Sequence, residues 1–150
     1  MKLHEILILF KELNNKTDDK AESKIYSRFI SIISELNQRE LSEEELNSIE
    51  NQLDSLNNQS EYKNKRKFYK AELNKFEKLL RDNLYLVSKD YYKKLGIALG
   101  SSFGILFGIV FLSNLDRSLG ISLGISLGML IGLLFGRNKD LKAEQEGRVI

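Results

Sequence analysis

Between residues 63 and 81 the chain carries Lys63, Lys65, Arg66, Lys67, Lys70, Lys75, Lys78 and Arg81 against Glu72 and Glu77. On a helix Lys63, Arg66, Lys67, Lys70 and Lys78 share one broad cationic face. Tyr62, Phe68 and Tyr69 punctuate it. Cations hold phosphates and aromatic rings stack bases, so this stretch suits a nucleotide or a single-stranded oligonucleotide. The same charge has two other uses. Residues 35–61 carry Glu35, Glu40, Glu43, Glu44, Glu45, Glu50, Asp54 and Glu61 against Arg39 alone. An acidic helix lying antiparallel to the basic one would pair with it for little energy. Anionic lipid headgroups would attract the cluster too, although a straight helix would hold it about 45 Å from the bilayer.

No catalytic constellation accompanies this face. The chain has no cysteine, which excludes disulfides and thiolate metal sites and fits a reducing interior. A single histidine, His4, cannot by itself build a histidine metal site or a Ser-His triad. Paired acids occur only on a solvated helical face, with no nucleophile or phosphate loop beside them. The expectation is a protein that is not an enzyme and needs no cofactor or metal.

A second pattern lies downstream. Residues 95–112 and 119–135 are uncharged, and at helical rise each run reaches roughly 25–27 Å, the hydrocarbon thickness of a bilayer. Gly96, Gly100, Gly104 and Gly108 recur every fourth residue in the first run; Gly120, Gly124, Gly128, Gly132 and Gly136 do so in the second. In water such glycines weaken a helix by up to about 1 kcal/mol each. In lipid the backbone cannot trade its hydrogen bonds for water, and small residues let helices approach closely. The reading is a transmembrane hairpin with a glycine-zipper seam. A four-residue line drifts about 40° per step around the helix, so it stays in contact only at a right-handed crossing or with different neighbours along its length. Ser122 and Ser126 lie about 200° from the glycines. Small residues on both sides of the second helix place it between its hairpin partner and a neighbouring subunit, or turn the serines toward a lumen.

These spacings imply a homo-oligomeric bundle, closed as a ring, with an uncharged pore gated by dewetting or helix tilt. No intramembrane carboxylate, lysine or histidine supports proton coupling. The competing reading is a membrane-anchored scaffold whose helical domain binds a protein partner. One helix would suffice for an anchor, and nine spaced glycines exceed that need.

The elements that must carry these faces are all helical. Leu3, Ile6, Leu7, Phe10 and Leu13 mark a first amphipathic helix. Asp19 and Glu22 resemble a capping box before a second, with Ile25, Phe29, Ile32, Ile33 and Leu36 on its apolar side. Ser42 with Glu45 opens a third, striped by Leu46, Ile49, Leu53 and Leu56. From Glu61 onward no proline stops a helix before the membrane. Within that fourth helix Tyr69, Leu73, Phe76, Leu80, Asn83 and Val87 form a short heptad-like stripe, for packing inside the chain or for self-association. The chain thus divides into an all-α domain of about four helices over residues 1–92, a hairpin over 93–137 and a polar tail over 138–150 that should fray. The apolar run at the N-terminus is too short for a signal peptide. Lys89, Lys93 and Lys94 flank one end of the hairpin and Arg137, Lys139 and Lys142 the other, whereas the turn holds Asp116 and Arg117; the positive-inside rule puts both termini in the cytoplasm.

A small helical domain on a two-helix hairpin, with its glycine rows and the basic stretch 62–81, resembles the membrane effectors of bacterial anti-phage defence, in particular the Hailong-type channel subunit. The resemblance implies residence in the bacterial inner membrane, an oligomeric channel, a nucleotide or oligonucleotide signal, and a partner signalling enzyme that makes it.

Overall fold

The structure, a computed structural model, describes residues 2–54, 56, 64–111 and 117–150, with Arg117 described for its backbone alone. Among the described residues six α-helices follow in order: α1 (Leu3–Lys16), α2 (Lys20–Leu36), α3 (Glu43–Asp54), α4 (Lys65–Leu84), α5 (Tyr91–Phe111) and α6 (Arg117–Gln145). Among the described residues the extended pairing is limited to one isolated bridge, Val87 to Val149. The fold is all-α, a helical domain followed by a helical hairpin. Two compact units divide the chain, one ending at Leu86 and also containing Ile150, the other spanning Val87–Val149.

In the first unit the apolar stripes meet as their periodicity requires. Leu3, Ile6 and Phe10 of α1, the α2 face from Ile25 to Leu36, and Ile49 and Leu53 of α3 are buried with Tyr69, Phe76 and Leu80 of α4. Aromatic rings form the centre: Phe10 stacks on Phe29 at 4.2 Å, and Tyr26 meets Tyr69 edge-on at 5.2 Å. The α4 stripe therefore packs on helices of its own chain, and Asn83 lies outside it, exposed, its amide donating to Ser48 Oγ at 3.3 Å.

Caps decide where helices begin. Ser42 and Glu45 form the reciprocal box: Ser42 N donates to Glu45 Oε2 at 2.8 Å and Glu45 N to Ser42 Oγ at 3.3 Å. At α2 the box does not close. Asp19 Oδ1 accepts from Ala21 N at 2.7 Å, but Glu22 turns away to accept from the Thr17 hydroxyl at 3.0 Å.

The expected unbroken run from the fourth helix into the first apolar span is corrected. α4 stops at Leu84, Tyr85 takes a left-handed conformation at φ 56°, and Asp90 does so at φ 61° before α5 starts. Buried Leu86 and Val87 hold the connection in place of a proline or glycine. Residues 138–145 are likewise helical rather than frayed, because α6 continues to Gln145. Gly147, at φ 65°, then caps it, with Arg148 N donating to Ala143 O at 2.8 Å and Gly147 N to Glu144 O at 3.1 Å. That pair of bonds is the Schellman arrangement, and Ala143 beneath it is fully buried.

In the second unit α5 and α6 are long and apolar enough to cross a membrane. Only 11% and 17% of their apolar windows are buried, so neither is the enclosed core helix of a water-soluble fold. Phe103, Leu106, Val110, Leu130, Leu134 and Phe135 all present more than half of their surface. Exposed apolar area on that scale belongs against lipid or another chain.

Candidate functional site

The basic face of α4 is split by its own helix geometry. Arg66 and Lys70 line a groove of about 610 Å3 between α2 and α4, opposite Lys24 and Arg28. Ser27, Ser31 and Asn74 add neutral hydrogen-bonding groups, over a floor that includes Ile25 and Leu73. Lys67 and Lys78 are exposed on α4 and do not line the groove. Tyr62 and Lys63 lie outside the described residues. Tyr69 is corrected from ligand-stacking residue to core residue: it is 2% exposed, edge-on to both Tyr26 and Phe68. A ring at that position on the Phe76–Leu80 stripe faces inward, where it buries far more apolar surface than it could stack on a ligand.

Sequence reasoning missed Lys24 and Arg28 because they lie on α2, some forty residues from the basic run. The signal available was a polar face of α2 holding Lys24, Ser27, Arg28 and Ser31 at helical spacing. Arg28 is the best anchored of the four cations. Its Nε donates to Glu77 Oε1 at 3.0 Å and its Nη2 to the Ile150 carbonyl oxygen at 3.3 Å. Among the described residues Lys24, Arg66, Lys67 and Lys70 have no carboxylate within ion-pair distance. α3 packs on α4 with Ile49 and Leu53 buried, and among the described residues no acid of the segment pairs with these bases.

The start of α4 adds positive potential at one end of the groove. Asn64 caps α4, its Oδ1 accepting from Lys67 N at 3.0 Å, and the first turn carries Lys65, Arg66 and Lys67 with no acid. Cations at a helix N-terminus oppose the helix dipole, at about 0.3–1 kcal/mol for each charge. An anion relieves that repulsion. Close by, burial and then the Glu22 carboxylate push the Tyr26 and Tyr69 phenols upward, keeping both neutral.

The hairpin glycines face each other one to one. A methyl on Gly96 would strike the carbonyl of Gly132, on Gly100 that of Gly128, on Gly104 that of Gly124, and on Gly108 that of Gly120. Each obstacle is backbone, so a side chain at these positions separates the helices. The seam thus closes inside one chain. It continues at one end: Gly136 lies against Tyr92 and Lys93, and Asp140, one four-residue step further, accepts from Tyr92 N at 2.9 Å and Lys93 N at 2.8 Å. Asp140 is the cap of α5 supplied by α6, and Lys93 Nζ donates to Asp90 Oδ1 at 2.6 Å beside it. That hydrogen bond holds the Asp90 carboxyl below its usual range.

Ser122 and Ser126 are exposed on the far side of α6, each hydroxyl donating to the carbonyl four residues back, Ser118 O and Ser122 O, at 2.9 Å. Ala98 and Ser102 are exposed on the corresponding far side of α5. The glycine register sets their depths. Ser102 is level with Ser126, Leu106 with Ser122, Val110 with Ser118, and Ala98 with Leu130. Apart from the serine pair, every small residue on one outer face stands at the depth of a large one on the other.

Comparison with known protein families, with characterised proteins and with solved structures gives no match.

Proposed function

We propose that this chain is a hairpin membrane protein that self-associates into a permeabilising assembly, controlled by an anionic ligand at its helical domain. The observation that carries the reading is the size complementarity of the outer faces. If hairpins pack α5 face to α6 face, Leu106 and Val110 of one copy sit over Ser122 and Ser118 of the next, and Leu130 over Ala98. Such a contact is heterologous and closes into a ring. Both termini would lie in the cytoplasm of a bacterial cell, by the lysines and arginines at the open end of the hairpin. A place in anti-phage defence beside a nucleotide-making enzyme belongs to the same proposal, as does the absence of enzymatic activity.

Conductance across bilayers containing the purified chain tests it. Leak is expected in the wild type, with Ser122→Leu, which would set a second leucine against Leu106 of the next copy, abolishing both the leak and the oligomer seen in detergent. Glycine substitutions do not serve here, because they break the hairpin itself. A monomer without leak, with or without anionic ligand, leaves the second reading, a membrane-anchored scaffold for a protein partner. One observation favours that reading: the glycines that implied contact between copies are all occupied inside a single chain.

A further inference from the structure

We propose that the groove between α2 and α4 binds a compact phosphate ester of two or more negative charges, and that the ligand draws Arg28 away from Ile150 as it binds. The inference rests on the anionic-ligand reading above and narrows it from nucleic acid in general to a small molecule.

The lining supplies both halves of such a ligand's chemistry. Lys24, Arg28, Arg66 and Lys70 converge from two helices, and among the described residues no carboxylate lines the groove. Arginine and lysine together offer forked and point-charge recognition of phosphate oxygens. Ser27, Ser31 and Asn74 offer donors and acceptors to a hydroxylated body. The volume, about 610 Å3, lies in the range of small-ligand sites.

The same lining disfavours a nucleic-acid strand. Among the described residues no aromatic ring lines the groove, and Tyr69 faces the core. Strand binders rely on stacking platforms along an extended track. Here the α4 wall runs from residue 66 to residue 74, about 12 Å at helical rise. That length accommodates two or three linked phosphates.

Arg28 gives the site an output. Its guanidinium has five N–H donors, of which one goes to Glu77 and one to the Ile150 carbonyl oxygen. Ile150 is 8% exposed and belongs to the core of the helical domain. A phosphate brings three strong acceptor oxygens to the guanidinium. A forked contact that spans Nη1 and Nη2 competes with the single Ile150 oxygen for Nη2, while Glu77 keeps Nε. Since Ile150 follows α6 by a few residues, occupancy of the groove loosens the segment that ends that helix.

The test uses the full chain in detergent micelles with inorganic tripolyphosphate as probe. Calorimetry reads binding, and amide hydrogen exchange reads residues 148–150. The expected result is saturable binding, one probe per chain, with faster exchange at those amides. Lys70→Gln should weaken binding about tenfold, roughly one charge-assisted contact, whereas Lys139→Gln, outside the groove, should leave it unchanged. Arg28→Gln should remove the exchange response; because Arg28 also ties Glu77 and Ile150, the variant at exposed Lys70 decides the matter if Arg28→Gln misfolds. Absence of saturable binding, full-strength binding by Lys70→Gln, or binding without an exchange response overturns the proposal. So does a single-stranded oligonucleotide, several times the groove's length, that binds more tightly than tripolyphosphate. Repeating the titration in phosphatidylglycerol nanodiscs identifies the source: undiminished affinity assigns a soluble phosphate ester, and loss of probe binding assigns a lipid headgroup. Leak measured without probe is scored separately, so a failed ligand site and a failed channel give different results.

Discussion

Two phenols, Tyr26 and Tyr69, meet edge to face inside the helical domain, within reach of the Glu22 carboxylate. Burial, then Glu22, raises both above the ordinary tyrosine value. An acid whose folded-state pKa is raised favours the folded state while it stays protonated, and that advantage is lost as pH climbs past the unfolded value near 10. The helical domain should therefore unfold on alkaline titration from about pH 10 upward, followed by tyrosinate absorbance and circular dichroism together. Tyr26→Phe should move the transition to higher pH; an unmoved transition would show that the phenols are not its cause. Glu45 works in the opposite direction. Hydrogen bonds from Ser42 hold its carboxyl below the usual range, so the start of α3 keeps its cap above the ordinary glutamate pKa and loses it as pH falls through the lowered value. At this scale the sequence supported two incompatible roles for Tyr69, one in the packed stripe and one in the ligand face. Only the neighbours of the ring decide between them, and those neighbours come from α1 and α2.

For the individual helices, the apolar stripes of α1 to α4 and the two long apolar spans were legible because helical period and length are local properties of the chain. The break between α4 and α5 was not. It is made at Tyr85 and Asp90, residues that carry no strong stop signal, and is held by the burial of Leu86 and Val87. Tyr85 stands 70% exposed in a left-handed conformation that glycine adopts freely. Tyr85→Gly should therefore stabilise the helical domain by about 0.5–1 kcal/mol, read as a raised urea midpoint; a lowered midpoint would mean that the tyrosine makes a contact of its own. The glycine rows give the contrary expectation. Gly128→Ala places a methyl against the Gly100 carbonyl and should destabilise the hairpin by roughly 1–3 kcal/mol, since backbone cannot move aside. Thermal unfolding in detergent measures it, and an unchanged Tm would refute the close approach.

Over the molecule as a whole, the split between a polar helical domain and an apolar hairpin was readable from composition. The role of the chain's last residues was not, because it depends on partners far upstream. Ile150 joins the core of the helical domain and accepts from Arg28, yet nothing in the local sequence after Arg137 announces a docking segment. Ile150→Ala should lower the stability of that domain by about 2 kcal/mol, the lower end for a buried isoleucine. Urea unfolding monitored at the helical domain checks it. No loss would show that the domain's core is complete without this residue.

A ladder whose rungs are all glycine at one spacing has a property that side-chain interfaces lack. Sliding α6 along α5 by four residues, about 6 Å, brings glycine opposite glycine again and forfeits little except the last rung. What singles out one alignment is Asp140, whose carboxylate finds the Tyr92 and Lys93 amides in only one of these positions. Asp140→Ala should turn a single alignment into a mixture. With no native cysteine to compete, spin labels on Leu95→Cys and Leu134→Cys would report one separation in the parent chain and two in the variant. The hairpin is thus built as a vernier with a single detent, and the detent is a carboxylate that stands outside the apolar span.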